Sequence, residues 1–230
     1  MELRNKPDFT LACQIATETL LCCEKQNKFP ISVYGVIEEV TDLNLMSFSD
    51  ARSNGIEPPQ MGSESGILAE LNGWYYIFYN EKECRERIAF DCAHELGHYK
   101  LGHDMKKLEE IKKRDINLFN ELYGICEVEA NFFAAQLLMP EQVLIELNMR
   151  GCGINKSFLM ENFGASLPAA EKRLQTLRKV YNWNSYRSNK GFEYDDIIIQ
   201  KFKQLIVFLS RNNYDYEEEE RKQKERDGWY

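Results

Sequence analysis

Along most of this chain, apolar residues recur among polar ones with the spacing of an amphipathic helix. Apolar side chains recur every three or four positions, which places them on one helical face that can pack against a core. The stretch 104–117 is instead dominated by charges and fits either a solvated helix or a loop. The periodic segments predict helices at 7–26, 81–101, 118–139, 141–149, 156–163, 167–181 and 195–210.

Two short runs follow a different pattern, which is typical of strands. Residues 67–70 and 74–79 flank an Asn72-Gly73 pair, which favours a tight turn, so we predict a β-hairpin. The second run fits an exposed edge strand that could pair with a peptide, and equally a central strand buried on both faces. Segment 31–40 fits a helix or a strand. The predicted fold class is α+β, mostly helical with a small sheet.

All three histidines of the chain lie in the segment from His94 to His103. A helix turns about 100° per residue, so His94 and His98 share one face, one turn apart, and can bind one metal ion through their imidazoles. Glu95 lies about 100° round from His94, close enough to hold a water molecule without binding the ion. The segment therefore predicts a hydrolytic zinc site with Glu95 as the general base.

A catalytic zinc takes three protein ligands and keeps one position open, so a third ligand must come from elsewhere. On a continued helix His103 is half a turn or more from both histidines, and Gly102 is expected to end that helix, so His103 is predicted as a cap or outer partner. Glu127 is the favoured third ligand, with Glu129 as the alternative. Asn131 shares a face with Glu127 and could bind the second nitrogen of a ligand histidine.

These motifs resemble those of the ImmA/IrrE type of metallo-endopeptidase, over roughly residues 67–180. The resemblance implies a zincin-like fold in which the small sheet lies beside the active-site helix. The matching segments are Ala93-His94-Glu95-Leu96-Gly97-His98, Leu101-Gly102-His103, Glu127 to Asn131, Phe133-Ala134-Ala135 and Leu137-Leu138-Met139-Pro140.

The same resemblance implies a function, which is site-specific proteolysis of a regulator. Members of that family are similar in being cytoplasmic and zinc-dependent, and many are carried on prophages or mobile elements. They cleave or inactivate a helix-turn-helix repressor and so release the genes that it holds down. Because this chain has no further histidine except His103, a tyrosine, a backbone amide or the partner must support the carbonyl oxygen during hydrolysis.

The composition indicates a folded cytoplasmic protein. Apolar residues make up 43% of the chain, yet no apolar run is long enough for a membrane span, and the N-terminus lacks the apolar core of a secretory signal. The seven cysteines are odd in number and lack the two-residue spacing of a zinc knuckle or redox pair. They are therefore predicted to be reduced, mostly in the core.

Charge is distributed unevenly along the chain. The net charge is −8, whereas residues 150–190 contain eight bases and two acids, a local charge of +6. We predict a zincin-like metallopeptidase domain at 1–149, a helix-turn-helix-like basic segment at 150–190 packed on it, and an amphipathic helix with an acidic tail at 191–230. Packing or protein docking is the favoured role of the basic segment. The alternative function is a non-proteolytic regulator that sequesters a repressor or contacts DNA through this segment.

Overall fold

The chain forms two compact units in the computed structural model. The first unit comprises Met1–Gln26 and Ile31–Leu138, and the second comprises Asn27–Pro30 and Met139–Tyr230. The predicted acidic tail lies outside the described residues except for Arg221. None of the helices in the described part of the chain is both long and apolar enough to cross a bilayer. The structure describes residues 5–39, 43–58, 65–180, 195–211 and 221.

The first unit combines helices with a small sheet. The predicted α+β, zincin-like class, mostly helical with the sheet beside the active-site helix, is confirmed. The helices are α1 (Phe9–Cys22), α2 (Val33–Glu38), α3 (Phe48–Ser53), α4 (Arg85–Lys100), α5 (Met105–Arg114) and α6 (Ile116–Leu138), and the strands are β1 (Leu43–Ser47), β2 (Gly66–Leu71) and β3 (Trp74–Tyr79).

The strands are arranged in the order β1-β3-β2. β2 and β3 form the predicted antiparallel hairpin, and Asn72 and Gly73 both have positive φ, 54° and 83°, as a type I′ turn requires. β1 pairs with β3 in parallel, with Leu45 opposite Ile77. β3 is therefore the central strand, so the alternative that it offers a free edge to a peptide is wrong. The outer strand that packs on α4 is β2.

Helix α4 begins later than predicted. Asn80 caps a turn and not the helix, because its Oδ1 accepts a hydrogen bond from the N–H of Lys82 at 3.1 Å and its carbonyl accepts one from the N–H of Glu83 at 3.2 Å. Cys84 occupies the N-cap position without a side-chain hydrogen bond, and the helix starts at Arg85. A local turn at Asn80 to Glu83 therefore precedes the helix, and the predicted start at residue 81 is four residues too early.

The end of α4 agrees with the prediction. Gly102 has φ of +67°, the left-handed conformation that glycine adopts at helix C-termini. The N–H of His103 then donates to the carbonyl of His98 at 3.0 Å. This turn folds the chain back, so that His103 lies beside His98 without being on the same helix.

Helices α4 and α6 pack closely against each other at Gly97. A Cβ added there would lie 3.2 Å from the backbone Cα and carbonyl oxygen of Ala130 and 3.1 Å from the ring of Phe133. Leu96 and Phe133 are fully buried around this crossing. The absence of a side chain at Gly97 thus fixes how near the histidine helix lies to the glutamate helix.

The two segments with ambiguous patterns are both helical. In segment 31–40, α2 begins after Ser32, whose hydroxyl oxygen accepts from the N–H of Gly35 at 3.2 Å. In the charged stretch, α5 begins after Asp104, whose carboxylate caps the first turn. A side-chain cap stabilises the first turn in each case.

The second unit contains α7 (Glu141–Met149), α8 (Lys156–Phe163), α9 (Leu167–Val180) and α10 (Asp195–Lys201), and residues 203–211 are also helical. A short turn joins α8 to α9, and Gly164 in it has φ of 64°. The helix, turn, helix pattern of the sequence is thus present, while the domain boundaries at 149 and 190 stay predictions. The rings of Phe163 and Phe202 both contact Phe29.

One base of the proposed DNA-contacting helix is buried. Arg173 is 2% exposed, and its Nε and Nη2 donate to the carbonyl oxygen of Met139 at 3.0 and 2.7 Å. Lys156 pairs with Glu171 at 2.8 Å on the surface. Arg173 therefore stabilises the second unit in this fold, and it cannot also reach a phosphate.

Candidate metal centre

Three potential metal ligands converge where α4 packs on α6. His94 and His98 come from α4, one turn apart, and Glu127 comes from α6. The two Nε2 atoms are 2.9 Å apart, and they lie 3.4 and 3.3 Å from Oε2 and Oε1 of Glu127, respectively. Within the described ranges, this is the group of three side chains that could hold a metal ion.

The spacing of the donor atoms fits a metal ion. In a tetrahedral site with bonds of about 2.0–2.1 Å, two ligand atoms are separated by about 3.3 Å. The observed separations, from 2.9 to 3.4 Å, bracket that value. The side chain of His98 is only 2% exposed, whereas that of Glu127 is 30% exposed. The cluster is therefore closed on the histidine side and open to solvent on the glutamate side.

Burial and contacts within the cluster shift the pKa values of all three groups. Burial lowers the pKa of His98 to about 4. Burial alone would raise the pKa of Glu127, but hydrogen bonds with both imidazoles outweigh it and hold this pKa well below its usual range. For His94, burial acts to lower the pKa, and the hydrogen bond to Glu127 and the charge of Glu95 reverse it to a net rise. Glu127 is therefore ionised at neutral pH, as metal binding requires.

Glu95 lies beside the cluster and is held by the sheet. Its Oε2 accepts a hydrogen bond from the backbone N–H of Leu68, in β2, at 2.9 Å. β2 passes close to it, because a Cβ added at Gly66 would lie 3.4 Å from Cγ of Glu95. Burial raises the pKa of Glu95 to about 7. A carboxyl group with that pKa can both accept and return a proton near neutral pH.

His103 contacts His98, a member of the donor cluster, but is not itself one of its three donors. The Nδ1 atoms of the two rings are 2.9 Å apart, and Nε2 of His103 lies 3.0 Å from Oε2 of Glu129. Glu129, the alternative third ligand, therefore contacts the ring nitrogen of His103 that faces away from His98. Its other oxygen, Oε1, accepts a hydrogen bond from the backbone N–H of Asp8 at 2.6 Å. Sequence reasoning missed this last contact, because 121 positions separate its partners.

Asn131 lies one turn beyond Glu127 on the same face of α6. Its Nδ2 donates to the backbone carbonyl of Glu127 at 2.8 Å. A side-chain hydrogen bond between Asn131 and His94 also contributes to the raised pKa of His94. The structure thus brings Asn131 to a candidate ligand histidine, and its functional role stays a prediction.

Tyr123 is a residue of this region that the sequence analysis did not single out. It lies one turn before Glu127 on α6, and its hydroxyl group hydrogen-bonds the Glu127 side chain. Burial, together with the charge of Glu127, raises the pKa of Tyr123 to about 12. The residue is nevertheless 38% exposed. Its spacing of four residues from Glu127 is the signal that could have identified it.

The fold and the donor cluster define a zincin-like protein with a candidate metal site. Residues 60–175, half of the chain, match the family Peptidase_M78, described as the IrrE N-terminal-like domain. The chain belongs to this metallopeptidase family, as the resemblance to the ImmA/IrrE type predicted. It is also similar to the uncharacterized immunity region protein 2 of Bacillus phage phi105, with 28% identity over 123 residues, which are 50% of this chain and 71% of that protein.

Proposed function

We propose that this protein is a zinc-dependent endopeptidase. The observation that carries the proposal is the convergence of His94, His98 and Glu127 beside the buried carboxyl group of Glu95. Membership of a metallopeptidase family supports it. The three converging side chains would hold the ion, and two imidazoles with one carboxylate are donors that suit zinc.

Glu95 is the proposed general base and later the proton donor. A bound zinc ion would supply a Lewis acid that polarises the peptide carbonyl and makes water more acidic. Glu95 takes the proton of the attacking water and delivers it to the leaving nitrogen. The N–H of Leu68 holds the carboxyl group in place through a hydrogen bond.

Tyr123 is the proposed donor to the substrate carbonyl oxygen. A hydrogen bond with the Glu127 side chain contributes to the raised pKa of Tyr123, and the residue is partly open to solvent. A neutral phenol can donate a hydrogen bond to the oxygen on which negative charge develops during attack. Tyr123 would thus meet the need for an oxyanion donor in a chain without a further histidine for that role.

The proposed substrate is a helix-turn-helix repressor in the cytoplasm. The resemblance to the ImmA/IrrE type supports this choice, and so does the similarity to a phage protein named for an immunity region. Cleavage of such a repressor would release the prophage, mobile-element or stress genes that it holds down. The protein would therefore act on transcription through proteolysis and not through its own contact with DNA.

The test is incubation of the zinc-loaded protein with helix-turn-helix repressors drawn from the genes that flank its own. Mass spectrometry should detect zinc-dependent fragments. Glu95→Gln should keep its zinc and lose at least about 100-fold in cleavage rate, because the base is gone. Glu86→Gln, which changes an exposed carboxylate on the same helix, is the matched control and should cleave at the parental rate.

Two outcomes would redirect the proposal. Cleavage by Glu95→Gln at the parental rate would remove the role given to that residue. A stable complex of the zinc-loaded protein with intact repressor would replace proteolysis by sequestration.

A further inference from the structure

A buried path of hydrogen bonds leads from the candidate metal centre to the beginning of α1. It runs from His98 Nδ1 to His103 Nδ1 over 2.9 Å, from His103 Nε2 to Glu129 Oε2 over 3.0 Å, and from Glu129 Oε1 to the N–H of Asp8 over 2.6 Å. The side chains of His103 and Glu129 are only 4% and 5% exposed. The path therefore lies in the interior, where proton positions are set by the partners and not by water.

We propose that Glu129 and His103 are positioning residues, which hold His98 with an unprotonated Nε2 directed at the metal, and that the N-terminus of α1 belongs to the same network through the Asp8 amide. The inference rests on the proposed metal site. It goes beyond that site because neither Glu129 nor α1 supplies a donor atom to it.

The order of protons along the path follows from the chemistry of its two ends. A carboxylate offers only acceptors, and the Asp8 amide offers only a donor. Glu129 therefore accepts from Asp8 with one oxygen and from His103 Nε2–H with the other. His103 Nδ1 then carries a lone pair and accepts from His98 Nδ1–H. His98 Nε2 is left with the lone pair that a metal ligand needs.

A change of one atom should reverse this order. In Glu129→Gln the side chain keeps its shape but replaces one acceptor by an NH₂ donor. If the remaining oxygen accepts from the Asp8 amide, the NH₂ group faces His103 Nε2, which must then accept. His103 Nδ1 becomes the donor, His98 Nδ1 the acceptor, and the proton of His98 moves to the nitrogen that faces the metal.

A second variant isolates the step between the two histidines. In His103→Asn the Oδ1 atom occupies the position of the ring Nδ1 and can still accept from His98 Nδ1–H. The link to Glu129 is lost. His103→Ala removes the acceptor as well. Zinc affinity should therefore fall in the order parent, His103→Asn, His103→Ala.

The experiment measures zinc affinity by competition with a chromophoric chelator, with far-UV circular dichroism and melting of the metal-free variants to establish folding. Glu129→Gln should bind zinc about 10–100-fold more weakly than the parent, the range for loss of an outer partner of a ligand histidine. Glu121→Gln, an exposed glutamate on the same helix, is the control and should bind like the parent. In the His103→Asn background, Glu129→Gln should change affinity by less than about 2-fold, because nothing remains to pass the effect to His98.

The cycle separates positioning from a general packing role. An equal loss on Glu129→Gln in both backgrounds would overturn the proposal, because a merely structural residue acts independently of His103. Parental affinity in Glu129→Gln would overturn it as well. A parent protein that binds no zinc would instead refute the proposed function, and that result is read from the parent alone.

Discussion

The carboxyl group of Glu95 is buried beside the three candidate metal ligands, His94, His98 and Glu127. Burial disfavours its ionised form, and one backbone N–H, that of Leu68, compensates for part of the lost hydration. A residue held this way in the folded state reduces stability at the pH where it is ionised. We interpret this as stability given up for the proton-transfer role proposed for Glu95.

The cost of burying Glu95 predicts a pH-dependent stability change. The pKa is about 7 in the folded state and 4.5 in the reference state, so the folded protein holds this proton longer as pH rises. The ionisation of Glu95 therefore lowers the free energy of unfolding progressively as the pH rises from 4.5 to 7. Above pH 7 this destabilisation stays constant. Metal-free Glu95→Gln should equal the parent near pH 4 and exceed it by up to about 3 kcal/mol at pH 8. Urea unfolding across this range measures the difference, and a less stable variant at pH 8 would contradict it.

Tyr123 allows a separate test of the oxyanion role. Tyr123→Phe removes the hydroxyl hydrogen-bond donor and keeps the ring, so we expect about a 100-fold loss in the rate of repressor cleavage with unchanged zinc stoichiometry. Tyr75→Phe is a matched control, because Tyr75 is 37% exposed and Tyr123 is 38% exposed. Parental cleavage by Tyr123→Phe would leave the oxyanion role to another group.

Among the helices and strands, the features that depend on local sequence were predicted, and those that depend on distant contacts were not. The His94 to His98 spacing and the turn at Asn72-Gly73 are local, so a short stretch of sequence was sufficient to predict both. β1 was not predicted, because its pairing with β3 is parallel and depends on contacts distant in sequence. That pairing decides that β3 is central. The contacts of Glu95 with Leu68 and of Glu129 with Asp8 depend on tertiary packing in the same way.

The packing of α4 on α6 predicts opposite effects for two glycine substitutions. Gly97→Ala places a Cβ at 3.1–3.2 Å from atoms of Phe133 and Ala130, so it should destabilise the protein by about 1–3 kcal/mol. Gly124→Ala meets no atom within 4 Å on α6 and should stabilise it by about 0.5–1 kcal/mol, the helix preference of alanine. Urea unfolding of both variants measures the contrast. A stabilising Gly97→Ala would show that the helices can separate freely.

At the scale of the whole molecule, the charge distribution bears on the DNA alternative. The chain carries −8 in total, and the basic segment offers fewer accessible cations than its eight bases, because Arg173 is buried and Lys156 is paired with Glu171. Nonspecific attraction to a polyanion requires accessible cations in excess. The structure therefore favours the interpretation of this segment as a packing or docking unit.

This interpretation predicts weak binding to duplex DNA. Fluorescence anisotropy with the full chain at 150 mM salt should give a Kd weaker than about 10⁻⁴ M, the weak end of nonspecific binding. Alanine at Lys172, Arg178 and Lys179 should then change nothing. Micromolar affinity that disappears in the triple variant would instead restore the DNA alternative.

The donors of the candidate metal centre come from two helices, and that division sets an order of events during maturation. His94 and His98 belong to α4 and Glu127 to α6, whose approach is secured by the contact at Gly97 and by buried apolar neighbours such as Leu96 and Phe133. A newly synthesised chain must therefore assemble this pair before it can chelate an ion with all three groups. We therefore expect metal loading to follow folding, unlike in small zinc modules that remain unfolded until the metal arrives.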